Sequence, residues 1–179
     1  MKIILNSIYT FFRAFGFFAI VFSFLASLLF NSNKYLLLFV FLIIDLFLNM
    51  FLKKIASILM GKTIFPIIGS GLRPKGKKSC SYFDIRLKTR HLQNYGMPSG
   101  HSQTFAFIST LIGLYLYKTK DKYKNFKYVA LIFLTFLAMY MRIYIENCHT
   151  IQQTIFGSII GFLLAFTLVH YFGNPFSMA

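Results

Sequence analysis

Residues 14–33 read AFGFFAIVFSFLASLLFNSN and contain no charged side chain. A helix needs about 20 mostly apolar residues to cross a hydrocarbon core of roughly 30 Å. The whole chain has the same character, because 57% of its 179 residues are hydrophobic and only 13% are charged. A typical soluble domain has about 25% charged residues. The sequence therefore predicts an integral membrane protein.

Four further segments are long and apolar enough to form spans, at residues 35–53, 98–117, 128–145 and 151–172. Backbone amides inside lipid must be satisfied within the segment, and the sequence lacks the alternating pattern of a membrane barrel. We therefore predict an all-α integral membrane protein, a bundle of about five transmembrane helices. A single domain is expected over residues 1–179, with a long basic loop at residues 61–97 between the second and third helices.

The ionisable residues are strongly unbalanced, with 19 Lys and Arg against 4 Asp and Glu and a formal net charge of +15. So few carboxylates argue against a paired-carboxylate glycosidase and against a carboxylate cage for metal ions. Cys80 and Cys148 do not have the spacing of a zinc site, and a disulfide between them would require an oxidising compartment. We expect no metal, no other cofactor and no nucleic-acid partner. The excess of basic residues on the side of the 61–97 loop indicates a cytoplasmic loop by the positive-inside tendency. Cations that bind a ligand would add to the same excess, so the orientation stays open.

The polar residues at the helix ends converge on one face of the predicted bundle. A cluster of cations and histidines without a carboxylate suits an anion with several oxygens, for which phosphate is the obvious candidate. Ser99 and Gly100 precede the third apolar run, where free helix amides and the helix dipole favour an anion. Two histidines beside a phosphate can act as nucleophile and general acid. The residues of this cluster are Lys53, Arg73, Ser99, Gly100, His101, Arg142 and His149.

Three short motifs within the cluster occur in an informative order. They are a Lys followed by Arg73-Pro74, then Pro98-Ser99-Gly100-His101, then Arg142 with His149. In this order they resemble the signature of the type 2 phosphatidic acid phosphatase superfamily, a family of membrane-bound lipid phosphatases. The string YGMPSGHSQ at residues 95–103 is similar to the dolichyldiphosphatase branch of that family. The resemblance covers residues 49–161.

This resemblance implies a metal-independent phosphatase that works through a phosphohistidine intermediate. His149 would attack phosphorus, and His101 would protonate the leaving oxygen and later activate water. Gln153 stands four residues after His149, where many members of the family have Asp, and would accept the imidazole proton. The implied substrate is a phospholipid or a prenyl diphosphate held in the lipid bilayer. The residues implied to hold the phosphate oxygens are Lys53, Arg73, Ser99, Gly100 and Arg142.

The sequence departs from the family's pattern at two further places. Six residues separate Arg142 from His149, where five are usual, so the local turn must differ. The first motif is also stretched. Lys53 fits its helix-end context best, whereas Lys62 is nearer in sequence to the motif's arginine, and Lys54 is a third choice.

Other functions fit the same residues. One is a catalytically inactive membrane protein that binds anionic lipid headgroups through its basic loop. Another is a phosphatase or phosphotransferase that acts on a soluble phosphate ester. Gly157 and Gly161 would let a neighbouring helix pack closely, either within the bundle or in a homodimer. Both an endoplasmic reticulum membrane and a bacterial-type inner membrane are compatible with the sequence.

Overall fold

The computed structural model describes residues 2–61, 63–75, 80 and 94–177, with side chains from residue 10 onward. Over these residues the chain forms five α-helices, as predicted, with a short hairpin and two single turns. The helices are α1 (Lys2–Phe30), α2 (Asn33–Met60), α3 (Gly100–Lys118), α4 (Lys124–Tyr140) and α5 (Ile151–Phe172). The remaining elements are β1 (Ile64–Phe65), β2 (Gly69–Ser70), a π-helical turn at Met141–Ile145 and a 3-10 turn at Pro175–Ser177.

Four segments of the described chain are long and apolar enough to cross a membrane. Helix α3 occupies the third predicted span, residues 98–117, but it is more polar because it is the interior helix of the bundle. It packs against all four of the others and buries Ser102 and Gln103. The architecture is that of a multi-pass integral membrane protein. The four apolar segments are Thr10–Phe30, Asn33–Met60, Lys124–Ile145 and Ile151–Phe172.

The two N-terminal helices extend beyond the predicted spans. Helix α1 begins at Lys2 rather than at residue 14, and α2 continues to Met60 rather than ending at residue 53. The predicted bounds followed charged residues, whereas helical hydrogen bonding continues past those residues. Lys53 therefore lies within α2, about two turns before its end.

Helices α3 and α5 approach each other closely at two glycines of α5. A Cβ added to Gly157 would lie 2.4 Å from the carbonyl oxygen of Ser99, and one added to Gly161 would lie 2.1 Å from that of Gln103. Only a residue without a side chain allows backbones to approach this closely. The backbone N–H of Ser99 also donates to the carbonyl of Gln153 at 3.0 Å. The beginnings of the two helices are thereby held together, and with them the second and third motifs.

A buried polar network joins α2 to α3. Asp45 is only 1% exposed, and its two carboxylate oxygens accept hydrogen bonds from Gln103 Nε2 at 2.8 Å and Thr104 Oγ1 at 2.6 Å. Asn49 Nδ2 in turn donates to Gln103 Oε1 at 2.8 Å. A carboxylate inside a membrane bundle is a candidate functional group by default. Here its oxygens are satisfied by two side chains of α3, so it fixes the packing of α2 on α3.

The described part of the predicted basic loop places Arg73 against the segment that leads into α3. Strands β1 and β2 pair as an antiparallel hairpin. Beyond it, the backbone N–H of Arg73 donates to the carbonyl of Asn94, and that of Gly96 donates to the carbonyl of Gly71, each at 2.8 Å. Lys62 and the other loop residues at 76–79 and 81–93 lie outside the described residues.

Candidate active site

A cavity of about 370 Å³ opens between α1, α2, α3 and the adjoining loop segments. One end of it gathers most of the predicted site residues together with one cation that was not predicted. Among the lysines considered for the first motif, Lys53 lines this cavity, whereas its neighbour Lys54 is exposed to solvent. The geometry therefore favours Lys53 over Lys54 as the lysine of the first motif. The polar residues of the cavity wall include Arg13, Lys53, Arg73, His101, Arg142 and His149.

The partners of His149 determine which ring nitrogen carries the proton. Its Nδ1 lies 2.9 Å from the carbonyl oxygen of Gly96, which can only accept, so Nδ1 is the protonated atom. Its Nε2 lies 3.1 Å from Nη1 of Arg73, which can only donate. The lone pair of Nε2 consequently points toward the cations of the cavity. This is the atom suited to act as a nucleophile.

Burial and positive neighbours keep the His149 ring neutral. Its side chain is almost fully buried, and burial lowers the pKa of His149 well below its usual value, with further lowering by Arg73 and Arg142. Burial also lowers the pKa of Arg73, to about 10. At neutral pH the guanidinium of Arg73 thus stays charged, while the imidazole of His149 stays neutral with its single proton on Nδ1. A nucleophile needs this combination when it must attack a phosphate anion.

The π-helical turn absorbs the additional residue of the third motif. The backbone N–H of Glu146 donates to the carbonyl of Met141 at 3.0 Å, a bond from residue i+5 rather than i+4. Asn147 follows with a φ of +50° and reverses the chain. The backbone N–H of His149 then donates to the carbonyl of Arg142 at 3.3 Å. Despite the unusual spacing, the two motif residues are in direct main-chain contact.

Arg142 is held from two sides. Its guanidinium forms a buried ion pair with Glu146, and its Nη2 donates to the carbonyl of Cys80 at 2.9 Å. Only 1% of Arg142 is exposed, so the ion pair supplies the compensation that a buried charge requires. Glu146 therefore positions Arg142 and does not contact the His149 ring.

A disulfide between Cys80 and Cys148 adjoins both arginines. Arg73 Nη1 donates to the carbonyl of Cys148 at 3.0 Å, as Arg142 does to that of Cys80. The bond therefore fixes two acceptors that orient the cations of the site. Disulfides persist in oxidising compartments, so this bond argues against the cytoplasmic placement that the excess of cations indicates for the 61–97 loop. Several cations on this face line the cavity, and their number is accordingly a poor guide to orientation.

His101 lies in the first turn of α3 and is anchored to α1. Its Nε2 lies 2.8 Å from the carbonyl oxygen of Arg13 and must carry a proton there. Nδ1 is then the ring atom left to exchange a proton with a bound molecule. Gly100 also lines the cavity, and a Cβ added to it would lie 2.8 Å from Oδ1 of Asn49. Glycine thus lets the beginning of α3 pack against α2.

Ser99 caps α3 and is fully buried. Its Oγ accepts the backbone N–H of Ser102 at 3.5 Å and lies 3.1 Å from the hydroxyl of that residue. The cap engages the hydroxyl and the carbonyl of Gln153 engages the backbone N–H, and Ser99 is not among the residues that line the cavity. Ser99 therefore holds the beginning of α3 in place, and the predicted contact of Ser99 with phosphate is not supported by its position.

Gln153 does not hold the imidazole of His149, contrary to the role implied by the family resemblance. Its Nε2 donates to the carbonyls of Ser70 and Leu72 at 2.7 and 2.8 Å. Its Oε1 accepts the backbone N–H of Thr150 at 3.2 Å and completes a capping box. Nδ1 of His149 faces Gly96 instead. Gln153 therefore acts on the segment that carries Arg73, because Leu72 directly precedes this arginine.

Much of the cavity wall is apolar. It is lined by aromatic and aliphatic side chains of the first three helices, most of which lie one helical turn or more from Arg13, Lys53 or His101 along the same helix. A phosphate bound at the polar end would therefore have a hydrocarbon-compatible groove beside it. The apolar lining includes Phe15, Phe17, Ile20, Leu42, Leu46 and Phe105.

Two residues of the site, Arg13 and Gly96, were not predicted from the sequence. Arg13 belongs to α1, and no local pattern indicates that this helix packs beside His101. Gly96 acts through its backbone carbonyl, which any residue type would supply. Glu146 lies between Arg142 and His149, so the sequence left its pairing with either residue open. The structure pairs it with Arg142, at a spacing of four residues that is typical of helical ion pairs.

The molecule is a membrane protein whose helix ends form a cavity suited to an anion, with buried cations, two oriented histidines and an apolar groove. The family model described as the PAP2 superfamily matches residues 34–177, and the chain belongs to that superfamily.

The curated relatives that match all carry one name. The chain is 35% identical over 92 residues to Dolichyldiphosphatase 1 of Dictyostelium discoideum, a match that covers 47% of this chain and 40% of that protein. It is 35% identical over 81 residues to Dolichyldiphosphatase 1 of Homo sapiens, covering 40% of this chain and 34% of the human protein. The chain thus matches less than half the length of these relatives. No solved structure matches it significantly.

Proposed function

We propose that the protein is a membrane phosphatase that hydrolyses a lipid phosphate or polyprenyl diphosphate through a phosphohistidine at His149. The observation that carries this proposal is the orientation of the His149 ring. A backbone carbonyl holds the proton on Nδ1, and Arg73 lies beside the lone pair on Nε2. Membership of the PAP2 superfamily and similarity to two proteins named Dolichyldiphosphatase 1 support it.

In the first step Nε2 of His149 forms a bond to the terminal phosphorus, and the bond from phosphorus to the leaving oxygen breaks. His101 enters this step as the imidazolium, with one proton on Nε2 facing the carbonyl of Arg13 and a second proton on Nδ1. The electron pair goes to the leaving oxygen, which takes the Nδ1 proton of His101. Lys53, Arg73 and Arg142 neutralise the three equatorial oxygens, with backbone amides at the beginning of α3 as further donors. Phosphoryl transfer demands little beyond positioning and such charge stabilisation.

In the second step water attacks the phosphorus of the phosphohistidine. His101, now neutral, accepts the proton of the water, and the electron pair of the broken P–N bond returns to Nε2 of His149. Inorganic phosphate leaves and the starting tautomer is restored. Both rings keep their backbone anchors, Gly96 for His149 and Arg13 for His101.

A lipid substrate is favoured over a soluble phosphate ester by the shape of the cavity. The groove that continues from the cations is lined by apolar side chains, among them Phe17, Ile20 and Leu46. A soluble sugar phosphate would leave these groups against water, whereas a lipid chain buries apolar surface at about 25 cal/mol per Å². We place the catalytic face in an oxidising compartment, because the Cys80–Cys148 disulfide lies beside the site.

The proposal is tested with the protein purified in detergent and supplied with phosphatidate, a prenyl diphosphate or a sugar phosphate in the presence of EDTA. We expect phosphate release from the lipids, inhibition by vanadate, and an acid-labile phosphoprotein that is absent in His149→Ala. His170→Ala, which changes a histidine near the opposite end of α5, is the matched control and should keep full activity. Undiminished turnover in His149→Ala would overturn the mechanism. Salt-sensitive headgroup binding without turnover would identify the inactive binding protein instead.

A further inference from the structure

Arg13 is a cation of the site that comes from outside the region matched to the family. The family model begins at residue 34, after the whole of α1. Arg13 nonetheless lines the same cavity as Lys53, Arg73 and Arg142. The first helix thus contributes a charge to the site.

The position of Arg13 relative to the two histidines is informative. Its carbonyl oxygen accepts the hydrogen bond from Nε2 of His101 at 2.8 Å. Arg73, in contrast, lies beside His149 at 3.1 Å from Nε2. If His149 attacks and His101 protonates the leaving group, Arg73 is on the side of the attacked phosphate, and the backbone of Arg13, a residue that also lines the cavity, is on the side of the leaving group.

The need for a cation on the leaving-group side depends on the substrate. A phosphate monoester leaves as an alcohol, which carries no charge after protonation. A diphosphate leaves as a lipid monophosphate, whose phosphate remains negatively charged throughout the reaction. A guanidinium binds phosphate oxygens through two parallel hydrogen bonds. The extra cation therefore matters only when a second phosphate is present.

The groove beside Arg13 is consistent with this orientation. Phe17 and Ile20 follow Arg13 at one and two turns along α1, and both line the cavity. A lipid whose proximal phosphate contacts Arg13 would place its first carbons beside these side chains. Helix α1 would then bind both parts of the leaving group, its phosphate and its hydrocarbon chain.

We infer that Arg13 is a specificity-determining residue that binds the proximal phosphate of a lipid diphosphate. This inference rests on the proposed function of the site. During transfer the bond from His149 Nε2 to the terminal phosphorus forms, and the bond from that phosphorus to the bridging oxygen breaks. The bridging oxygen keeps the electron pair and takes the proton of His101. Arg13 holds the other oxygens of the departing monophosphate.

The experiment compares farnesyl diphosphate with farnesyl monophosphate, which share one hydrocarbon chain. Arg13→Gln should lower kcat/KM for the diphosphate by about 10- to 100-fold, the loss expected for a charged hydrogen-bonding partner. The same variant should lower kcat/KM for the monophosphate by less than about threefold. Arg13→Lys should recover part of the loss. The control is Lys54→Gln, which removes an exposed cation next to Lys53 in α2. It should change kcat/KM for neither substrate. Because His101 is anchored by the backbone of residue 13, its position should survive all these changes.

A binding measurement separates failure of the inference from failure of the proposed function. The probes are the methylene-bridged farnesyl diphosphate analogue and a farnesyl phosphonate, titrated against wild type and Arg13→Gln. Weaker binding of the bridged analogue alone supports the assignment of Arg13 even if the wild type proves inactive. Equal losses for both substrates and both analogues in Arg13→Gln, or no loss for either, would overturn it.

Discussion

Nη1 of Arg73 lies 3.1 Å from Nε2 of His149, and the same nitrogen donates to the carbonyl of Cys148 at 3.0 Å. One guanidinium therefore touches both the ring and the peptide that precedes it. The contact orients the lone pair of the imidazole toward the cavity. It also places a positive charge beside the position that the oxygens of an attacked phosphate would occupy. The mechanism that we propose depends on this pair, because it orients the nucleophile and supplies a charge beside it.

The first prediction concerns the pKa of His149. Burial lowers it most and Arg73 is the next cause, so Arg73→Gln should raise the pKa toward its usual value. Because the neutral form is the reactive one, the acid limb of reactivity should move to higher pH. The measurement is the pH dependence of His149 modification by diethyl pyrocarbonate, followed on the His149 peptide by mass spectrometry. If the acid limb of the pH profile is the same in wild type and Arg73→Gln, Arg73 does not lower the pKa of His149.

The second prediction distinguishes two roles for Gln153. If it oriented the imidazole, Gln153→Glu should be well tolerated, since a carboxylate can accept the Nδ1 proton. In the structure its amide donates to the carbonyls of Ser70 and Leu72, which a carboxylate cannot do. We therefore expect Gln153→Glu to be at least as harmful as Gln153→Ala, with a loss of about 1–3 kcal/mol in stability from unpaired buried groups. Thermal unfolding and kcat/KM of the two variants decide the matter.

The third prediction concerns the Cys80–Cys148 bond. Replacing Cys80 with Ser should lower the free energy of unfolding by about 2–4 kcal/mol. It should also reduce turnover, because the carbonyls that orient Arg73 and Arg142 become mobile. Dithiothreitol should have the same effect on the wild type and none on the variant that has both cysteines replaced. An equal response of the two proteins to the reductant would contradict the assignment.

The fourth prediction addresses the contact between α3 and α5. Gly161→Ala would place a methyl group 2.1 Å from the carbonyl of Gln103, whereas Gly113→Ala, in α3, would meet only a ring carbon of Tyr128 at 3.6 Å. The first substitution should separate the helices and lower both stability and activity. The second should be tolerated. Comparable melting temperatures for the two variants in the same detergent would show that the helices do not need this close approach.

The helices and the site differ in how far the sequence determines them. The long apolar runs predict five helices because a bilayer imposes both length and composition. The motif residues also predict that Lys53, Arg73, His101, Arg142 and His149 meet. The sequence could not assign the hydrogen bonds of the rings, because the acceptors are backbone carbonyls and carry no side-chain signature. The same reason explains why Gln153 was assigned to the wrong partner.

The orientation in the membrane could not be predicted from the sequence either, for a different physical reason. Counting Lys and Arg assumes that cations report how loops are inserted. Arg73, Arg142 and Lys53 instead line the cavity, so their positions follow from the ligand they suit. In a protein that binds an anion at one face, some cations bind the ligand and others reflect how the loops are inserted. The sequence does not distinguish these two groups of cations.

The π-helical turn at Met141–Ile145 has a consequence for finding such proteins. A search pattern that demands a fixed interval between the arginine and the histidine treats an insertion as a break in the motif. Here the additional residue is taken up within one turn, and the backbone of His149 still bonds to that of Arg142. Patterns for this family should therefore allow a variable interval after the arginine, since what the chemistry requires is that the two residues meet in space.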